Sequence, residues 1–415
     1  MTPGTAVTFG RVLRNRNFLA IWLAQTVSSF GDWLALVALL SLAAFGRRGT
    51  PAEVSWVMVA FALPVAVVGP VAGVFVDRWN PKATMIASDL ARAVLAALLV
   101  IPSALNPVYG IILALSAVSC FFLPAQTTVI PLLVEKDELL VANAANTQTF
   151  YLNKIIGPAV AGLLVARFGE NICFLLDSFS FVFSAMLLAC VTVPRAWDRP
   201  PGLPVKRTVP RSVASELTEG FRFMASHSLI LFLTVSVMAA IFAVSFFDAL
   251  AAVFVRDVLA GSSRLFGVLV SLVGAGTIAA AWAIGRFGQH RSKSLTIALG
   301  ILLMGTSILV LSLWSRPAVV LSCALVFGMG TACIVVSAQT LLQEETPHEI
   351  LGRATSAIYS LVTMAQVAGF LMAGFVAHWV GILRIYQLAG LAMLGAAGFA
   401  FMSTRRPAAS RTARA

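Results

Sequence analysis

PVYGIILALSAVSCFFLPAQTTVI, residues 107–130, carries no charged side chain and as a helix is long enough to cross a hydrocarbon core of roughly 30 Å. Comparable stretches predict spans over 17–45, 54–76, 83–101, 145–167 and 172–193, and again over 229–255, 265–284, 294–314, 318–339, 355–378 and 383–403. Hydrophobic residues make up 59% of the 415 positions and charged residues 11%, more apolar material than a soluble domain needs for one core. The expected fold class is an all-α membrane protein of twelve transmembrane helices. The first span runs past the length of a signal-peptide core and no small-residue cleavage site closes it, so it is expected to stay in the mature protein.

The end of the quoted stretch also points to a duplication. Ala125-Gln126-Thr127 recurs as Ala338-Gln339-Thr340, an offset of 213. Asp137-Glu138-Leu139-Leu140 is echoed by His348-Glu349-Ile350-Leu351 at an offset of 211, and Gly73-Val-Phe-Val-Asp77-Arg78 by Ala281-Trp-Ala-Ile-Gly285-Arg286 at 208. Short matches at a near-constant offset and equivalent positions predict two pseudo-symmetric six-helix halves with a substrate site between them. The halves are read as 1–193 and 229–415, the second ending in a basic tail, joined by a cytoplasmic linker over 194–228 that is rich in Pro and Arg. Within that linker Leu217, Phe221 and Met224 share a helical face, which predicts a short interfacial helix.

A net charge of +12 raises the question of nucleic acid, and the placement of the basic residues answers it. Twenty of the 29 Lys and Arg residues fall in the termini and loops on one side of the predicted spans, against seven on the other. That asymmetry is a topology signal: it predicts a multi-pass protein of a bacterial cytoplasmic (inner) membrane with both termini cytoplasmic, and no nucleic-acid partner. Cys120, Cys173, Cys190, Cys323 and Cys333 all lie in apolar spans and read as small core residues. His227, His290, His348 and His378 are scattered, so no metal centre is expected. The sequence contains no phosphate-binding loop, dinucleotide glycine pattern, nucleophile elbow or His-Glu-x-x-His motif, so no cofactor and no enzymatic activity are expected.

Gly73-x-x-x-Asp77-Arg78 resembles the cytoplasmic loop signature of the major facilitator superfamily, reading Trp79-Asn80-Pro81-Lys82 where the family pattern has a glycine and paired basic residues. Gly157-Pro158-Ala159-Val160-Ala161-Gly162 is similar to the Gly-Pro motif of the family's antiporters. Asn17-Phe18, Trp22, Gln25 and Gly31-Asp32, with Gln343-x-x-Thr346-Pro347-x-Glu349-x-x-Gly352-Arg353, resemble the branch that holds macrolide-efflux and enterobactin-export proteins. The resemblance implies gating roles for Gly73, Asp77 and Arg78 as a cytoplasmic latch, and for Gly157, Pro158 and Gly162 as a periplasmic seal. The plainer readings are a solvated loop pair and small-residue helix packing.

Ionisable residues inside spans are the sharpest local signal, because each is costly unless paired or facing water. Asp89 and Arg92 lie three apart on one face and read as a self-neutralising intramembrane pair. Asp32 has no basic residue near it in sequence and is the first candidate for proton coupling or substrate binding, with helix packing through hydroxyls or Lys154 as the rival reading. Asp248 is the second candidate, and Asp177, near the outer start of its span, is expected to be solvated or to serve packing. Trp22, Gln25, Lys154, Phe30, Trp33, Phe246 and Phe247 are candidate lining for a bulky amphipathic ligand. The predicted function is a secondary transporter that exports an amphipathic small molecule, such as a drug, macrolide-like compound or siderophore, by alternating access in exchange for protons. A lipid or lysolipid flippase and a non-transporting receptor of the same fold are the alternatives. The expected surroundings are the lipid bilayer, a small-molecule substrate and protons, with the protein a monomer.

Overall fold

Capping side chains set where the apolar stretches become helices. Asn15 accepts from the backbone N–H groups of Asn17 and Phe18 and so opens the first long helix. A Thr50–Glu53 capping box followed by Pro51, and Asn80 followed by Pro81, open the next two. The computed structural model describes residues 9–76, 78–102, 104–135, 138–192, 222, 224, 226, 228–287, 292–346 and 348–404, and all the regular structure among them is helical.

In chain order the helices are α1 (Phe9–Leu13), α2 (Arg16–Ser41, continued by a π turn over Leu42–Gly46), α3 (Pro51–Val67), α4 (Gly69–Val76), α5 (Pro81–Leu98), α6 (Leu105–Leu133), α7 (Leu139–Phe168) and α8 (Asn171–Cys190). After the linker come α9 (Ser228–Asp257), α10 (Ser263–Phe287), α11 (Lys293–Leu313), α12 (Pro317–Glu345), α13 (His348–Val380) and α14 (Ile382–Thr404). Among the described residues, 10 of these are long and apolar enough to cross a membrane. The two other expected spans depart from that criterion for physical reasons. The segment expected over 54–76 is interrupted at Val68 between α3 and α4, where Pro64 lies in the preceding turn and Gly69-Pro70 follow. The segment expected over 83–101 is α5, whose apolarity is lowered by Lys82, Asp89 and Arg92. Large apolar side chains stand exposed along the spans, among them Leu123, Phe179, Met186, Phe375 and Phe399, as a lipid-facing surface requires. The protein is a multi-pass membrane protein.

The chain packs as two compact units, Met1–Glu216 with Ser262–Gly267, and Leu217–Gly261 with Val268–Ala415. In the first, α2 packs on α7 and α8, α5 packs on α6 and α8, and α3 and α4 pack on α6. In the second, α9 packs on α13 and α14, and α11 packs on α12 and α14. The first span therefore meets the fifth and sixth, and the third meets the fourth and sixth, in both units. Backbone conformation repeats as well. Arg48 and Ala260, each in the loop after the first span of its unit, share a left-handed φ of 49°, an offset of 212. Gly169 and Gly381, each closing the fifth span, have φ of 80° and 84° at the same offset of 212, a conformation in which a side chain would be strained. This offset falls within the range of 208 to 213 set by the sequence echoes.

The fillings differ. The first unit's core joins Ile21, Ala24, Met85, Phe122, Ala125 and Leu188. The second unit's core holds Phe247, Phe254, Phe327 and Tyr386, with Phe247 4.7 Å from Phe327 and Phe254 5.3 Å from Tyr386 between ring centres. It also uses glycines for close backbone approach: Gly276 faces the Leu325 carbonyl and Gly328 the Val273 carbonyl, with no room for a Cβ at either. Of the expected interfacial helix, Leu217 and Phe221 lie outside the described residues, and Met224 is buried with Ile230 and Leu342. No disulfide joins the five cysteines; Cys190 is exposed on the helix surface rather than in the core.

Candidate functional site

Three helices of the first unit bring acidic groups to one buried place. On α5, Arg92 and Asp89 form an ion pair, and Ser184 of α8 donates its hydroxyl to the second Asp89 oxygen at 2.6 Å. The Arg92 guanidinium lies 4.2 Å from the ring centre of Phe181 and 4.8 Å from that of Phe122, so two aromatic faces hold the charge. Asp89 is 0% and Arg92 4% exposed, and Arg92 Nε has no hydrogen-bond partner. A pair so deeply desolvated depends on its partners for stability, since either charge left alone would be strongly unfavourable.

Helix α8 adds Asp177, 1% exposed, one turn from Ser180 and two from Ser184. The Ser180 hydroxyl donates to the Asp177 backbone carbonyl at 2.7 Å, while Asp177 Oδ1 is buried without a hydrogen-bond partner. Gly31 of α2 makes this approach possible: a Cβ there would lie 2.5 Å from Asp177 Oδ1 and would collide with Ser180 Oγ. The next residue, Asp32, lines a cavity of about 20 Å³ together with Asp177, Leu36, Phe61, Leu99 and Ile112. Asp32 and Asp177 interact electrostatically with each other and with Arg92. Of the two roles expected for Asp177, solvated or packing, the solvated one is corrected here. Its side chain is turned into the bundle by the α2–α8 contact. Asp177, Ser180 and Ser184, spaced i, i+3 and i+7, form a polar stripe on a mostly apolar helix, and that stripe was the available signal.

One helical face of α2 carries a second feature. Gln25, Ser29 and Asp32 stand at i, i+4 and i+7, and Gln25 and Ser29 line a pocket of about 260 Å³ with Leu123, Gln126, Asn146 and Thr149. Gln25 Oε1, Gln126 Nε2 and Asn146 Oδ1 are buried without hydrogen-bond partners. Trp22 is held beside the pocket by its indole N–H, which donates to Thr149 Oγ1 at 3.1 Å. Sequence reasoning missed Gln126, although it is the middle residue of the repeated Ala-Gln-Thr. Lys154 places its ammonium 5.8 Å from the ring centre of Trp33.

The remaining candidates lie elsewhere. Gly157 is packed against Trp33, where a Cβ would come within 2.6 Å of the Trp33 Cβ. Pro158 and Gly162 meet the Ser263–Gly267 segment, which belongs to the same unit; a Cβ on Gly162 would lie 3.1 Å from the Gly267 Cα. Gly73 has open space where its Cβ would be, Arg78 is exposed and Asp77 lies outside the described residues. Lys82 donates to the carbonyls of Ala189 and Val191, at 2.8 and 2.7 Å, and so caps the end of α8. Asp248 is half-buried on α9 in the second unit, next to Phe247, whose carbonyl accepts from Tyr386 at 3.3 Å. No group of side chains suited to a metal ion occurs among the described residues.

Polar and ionised groups kept at membrane depth, on a scaffold of spans used twice, define a polytopic membrane transporter. The chain belongs to the major facilitator superfamily, whose sequence profile matches residues 21–365 and 233–415. The MFS-type transporter YfiS of Bacillus subtilis (strain 168) is 30% identical over 393 residues, covering 92% of this chain and 93% of that protein. Macrolide efflux protein A of Streptococcus pyogenes is 25% identical over 380 residues, 90% of this chain and 92% of that protein. Among solved structures, a POT family transporter in complex with a thioalcohol conjugated peptide superimposes with a TM-score of 0.75 at 12% identity, over 94% of this chain and 96% of that one, a likeness of fold.

Proposed function

We propose that the protein is a proton-coupled exporter of an amphipathic small molecule, working by alternating access with both termini in the cytoplasm and acting as a monomer. The observation that carries this reading is the shared face of α2. Gln25 and Ser29 line the polar pocket, and Asp32, about 10 Å further along the helix, enters the buried carboxylate cluster. A shift of one helix would then be felt at both places, which is what exchange of substrate for proton requires. Trp22 and Gln25 contact substrate, Asp32 takes and releases the proton, and Asp248 and Lys154 bind substrate or tune its charge preference. Gly73, Asp77 and Arg78 latch the cytoplasmic side, and Gly157, Pro158 and Gly162 seal the other by close helix contact. The relation to a macrolide efflux protein supports export of a bulky, partly apolar compound.

A lysolipid flippase is the second reading, and one observation favours it. An apolar groove of about 540 Å³ lies between α5 and α6, lined by Trp79, Thr84, Ala87, Ser88, Val118 and Phe121. Uptake into everted membrane vesicles separates the two. Export driven by protons requires that macrolide-like compounds accumulate only while the gradient stands and stop when a protonophore collapses it. Accumulation that ignores the gradient, or translocation of a fluorescent lysolipid and not of the compounds, sinks the antiport reading.

A further inference from the structure

We infer that Asp177 and Asp32 act as one proton-binding unit, two carboxyl groups of different helices facing each other across a single trapped water and sharing one proton between them. The inference deepens the coupling role proposed for Asp32 and rests on that reading only for its use in transport; the proton-sharing itself stands on geometry.

The site is built. Asp177 is almost wholly buried, and its Oδ1 has no hydrogen-bond donor. Both carboxyls line the same small space of about 20 Å³, whose other walls are apolar. A cavity needs roughly 10–15 Å³ to hold one water, and the water needs at least two polar partners, which the two carboxyls supply. Gly31 is what lets α2 and α8 come close enough, because any Cβ would lie within 2.5 Å of the Asp177 oxygen. The charges argue the same way. From α5 the pair faces Asp89 and Arg92; from α7, Lys154 stands over Trp33; α3 and α6 contribute the uncharged walls Phe61, Ile112 and Leu115; and α8 brings Ser180, Ser184 and Cys173, with Glu170 at its start beside Cys173. Arg92 is already matched by Asp89. The guanidinium therefore leaves no full counter-charge for a second or third carboxylate, and two unneutralised carboxylates across one water repel each other in a medium of low dielectric. One proton between them leaves a single negative charge, which the neighbouring guanidinium and the water stabilise.

The transfer balances simply. Water accepts the proton leaving one carboxyl and donates one of its own to the other carboxylate, so water is regenerated and the pair keeps its charge of one negative. Asp177, on α8, thereby holds the proton on a helix that does not line the substrate pocket, while Asp32 sits on the helix that does.

The test uses the full chain in lipid nanodiscs, without substrate or gradient, and follows the infrared C=O stretch of protonated carboxyl groups across pH. In the unsubstituted protein the pair releases its protons in two steps separated by more than about one pH unit. Asp177→Asn and Asp32→Asn each collapse this to one simple step, and both lose the O–H stretch of the bridging water. Either variant alone suffices if the other fails to fold. An Asp32 band that titrates identically with and without the Asp177 carboxyl, or an Asp177 band indifferent to Asp32→Asn, overturns the inference. Because no transport enters this readout, loss of coupled export leaves it standing, and failure here leaves export to be judged in vesicles.

Discussion

The two units repeat one set of helix pairings and fill it with opposite chemistry. Where the first and sixth spans meet in the first unit, Gly31 admits Asp177, and the third span adds a buried ion pair. In the second unit α9 and α14 meet through Phe247, Phe254 and Tyr386, and α10 and α12 through glycines set against carbonyls. Architecture thus constrains which helices touch and leaves open what they touch with. Aromatic and backbone contact favours a rigid unit, because dispersion and close packing resist rearrangement. A polar cluster carries a charge state that can change. On the function proposed above, the proton belongs to the first unit, and the second gives structural support.

The largest effect expected from breaking this contrast is at Arg92. Arg92→Met leaves Asp89 buried with only the Ser184 hydroxyl, which costs about 3–5 kcal/mol. Thermal unfolding of the detergent-purified protein reads it, and the double variant Asp89→Leu with Arg92→Met recovers most of the loss. A single variant as stable as the double one contradicts the ion pair's place in the cluster.

A matched pair of glycine substitutions sharpens the comparison. Gly31→Ala and Gly328→Ala each force a methyl into occupied space and are expected to cost about 1–3 kcal/mol by the same unfolding measurement. They separate in function. Gly31→Ala displaces Asp177 and reduces coupled transport beyond its effect on folding, whereas Gly328→Ala leaves the transport rate per folded molecule unchanged. Equal loss of transport in both would place the coupling in general packing. The smallest effect is at Tyr386→Phe, which removes one hydroxyl bond to the Phe247 carbonyl and lowers stability by about 1 kcal/mol with no change in proton flux.

Much of the scaffold was readable in the chain because membrane crossing imposes length and apolarity on every span, and a duplication leaves echoes at a constant offset. The break at Val68 was less visible, since apolar residues continue through it and only Pro64 and Gly69-Pro70 mark the change. Spacing alone set Asp89 and Arg92 on one face. No spacing within α2 or α8 reveals that Asp32 and Asp177 share a cavity, because that proximity comes from helix crossing between residues 145 positions apart. Gly31 marks the crossing only once the neighbouring helix is known. Gln126 and Asn146 escaped for a related reason: an uncharged amide in a span costs less than an ion and stands out less, and its unmet hydrogen bonds are visible only in three dimensions.

Substrate-evoked proton movement in everted vesicles, compared between Asp32→Asn in the first unit and Asp248→Asn in the second, decides which unit carries the proton. Asp32→Asn is expected to abolish the proton signal while compound binding persists, and Asp248→Asn to alter affinity but keep protons moving with each substrate. Proton movement that survives Asp32→Asn and disappears with Asp248→Asn would contradict this expectation, and would move the coupling site to the second unit.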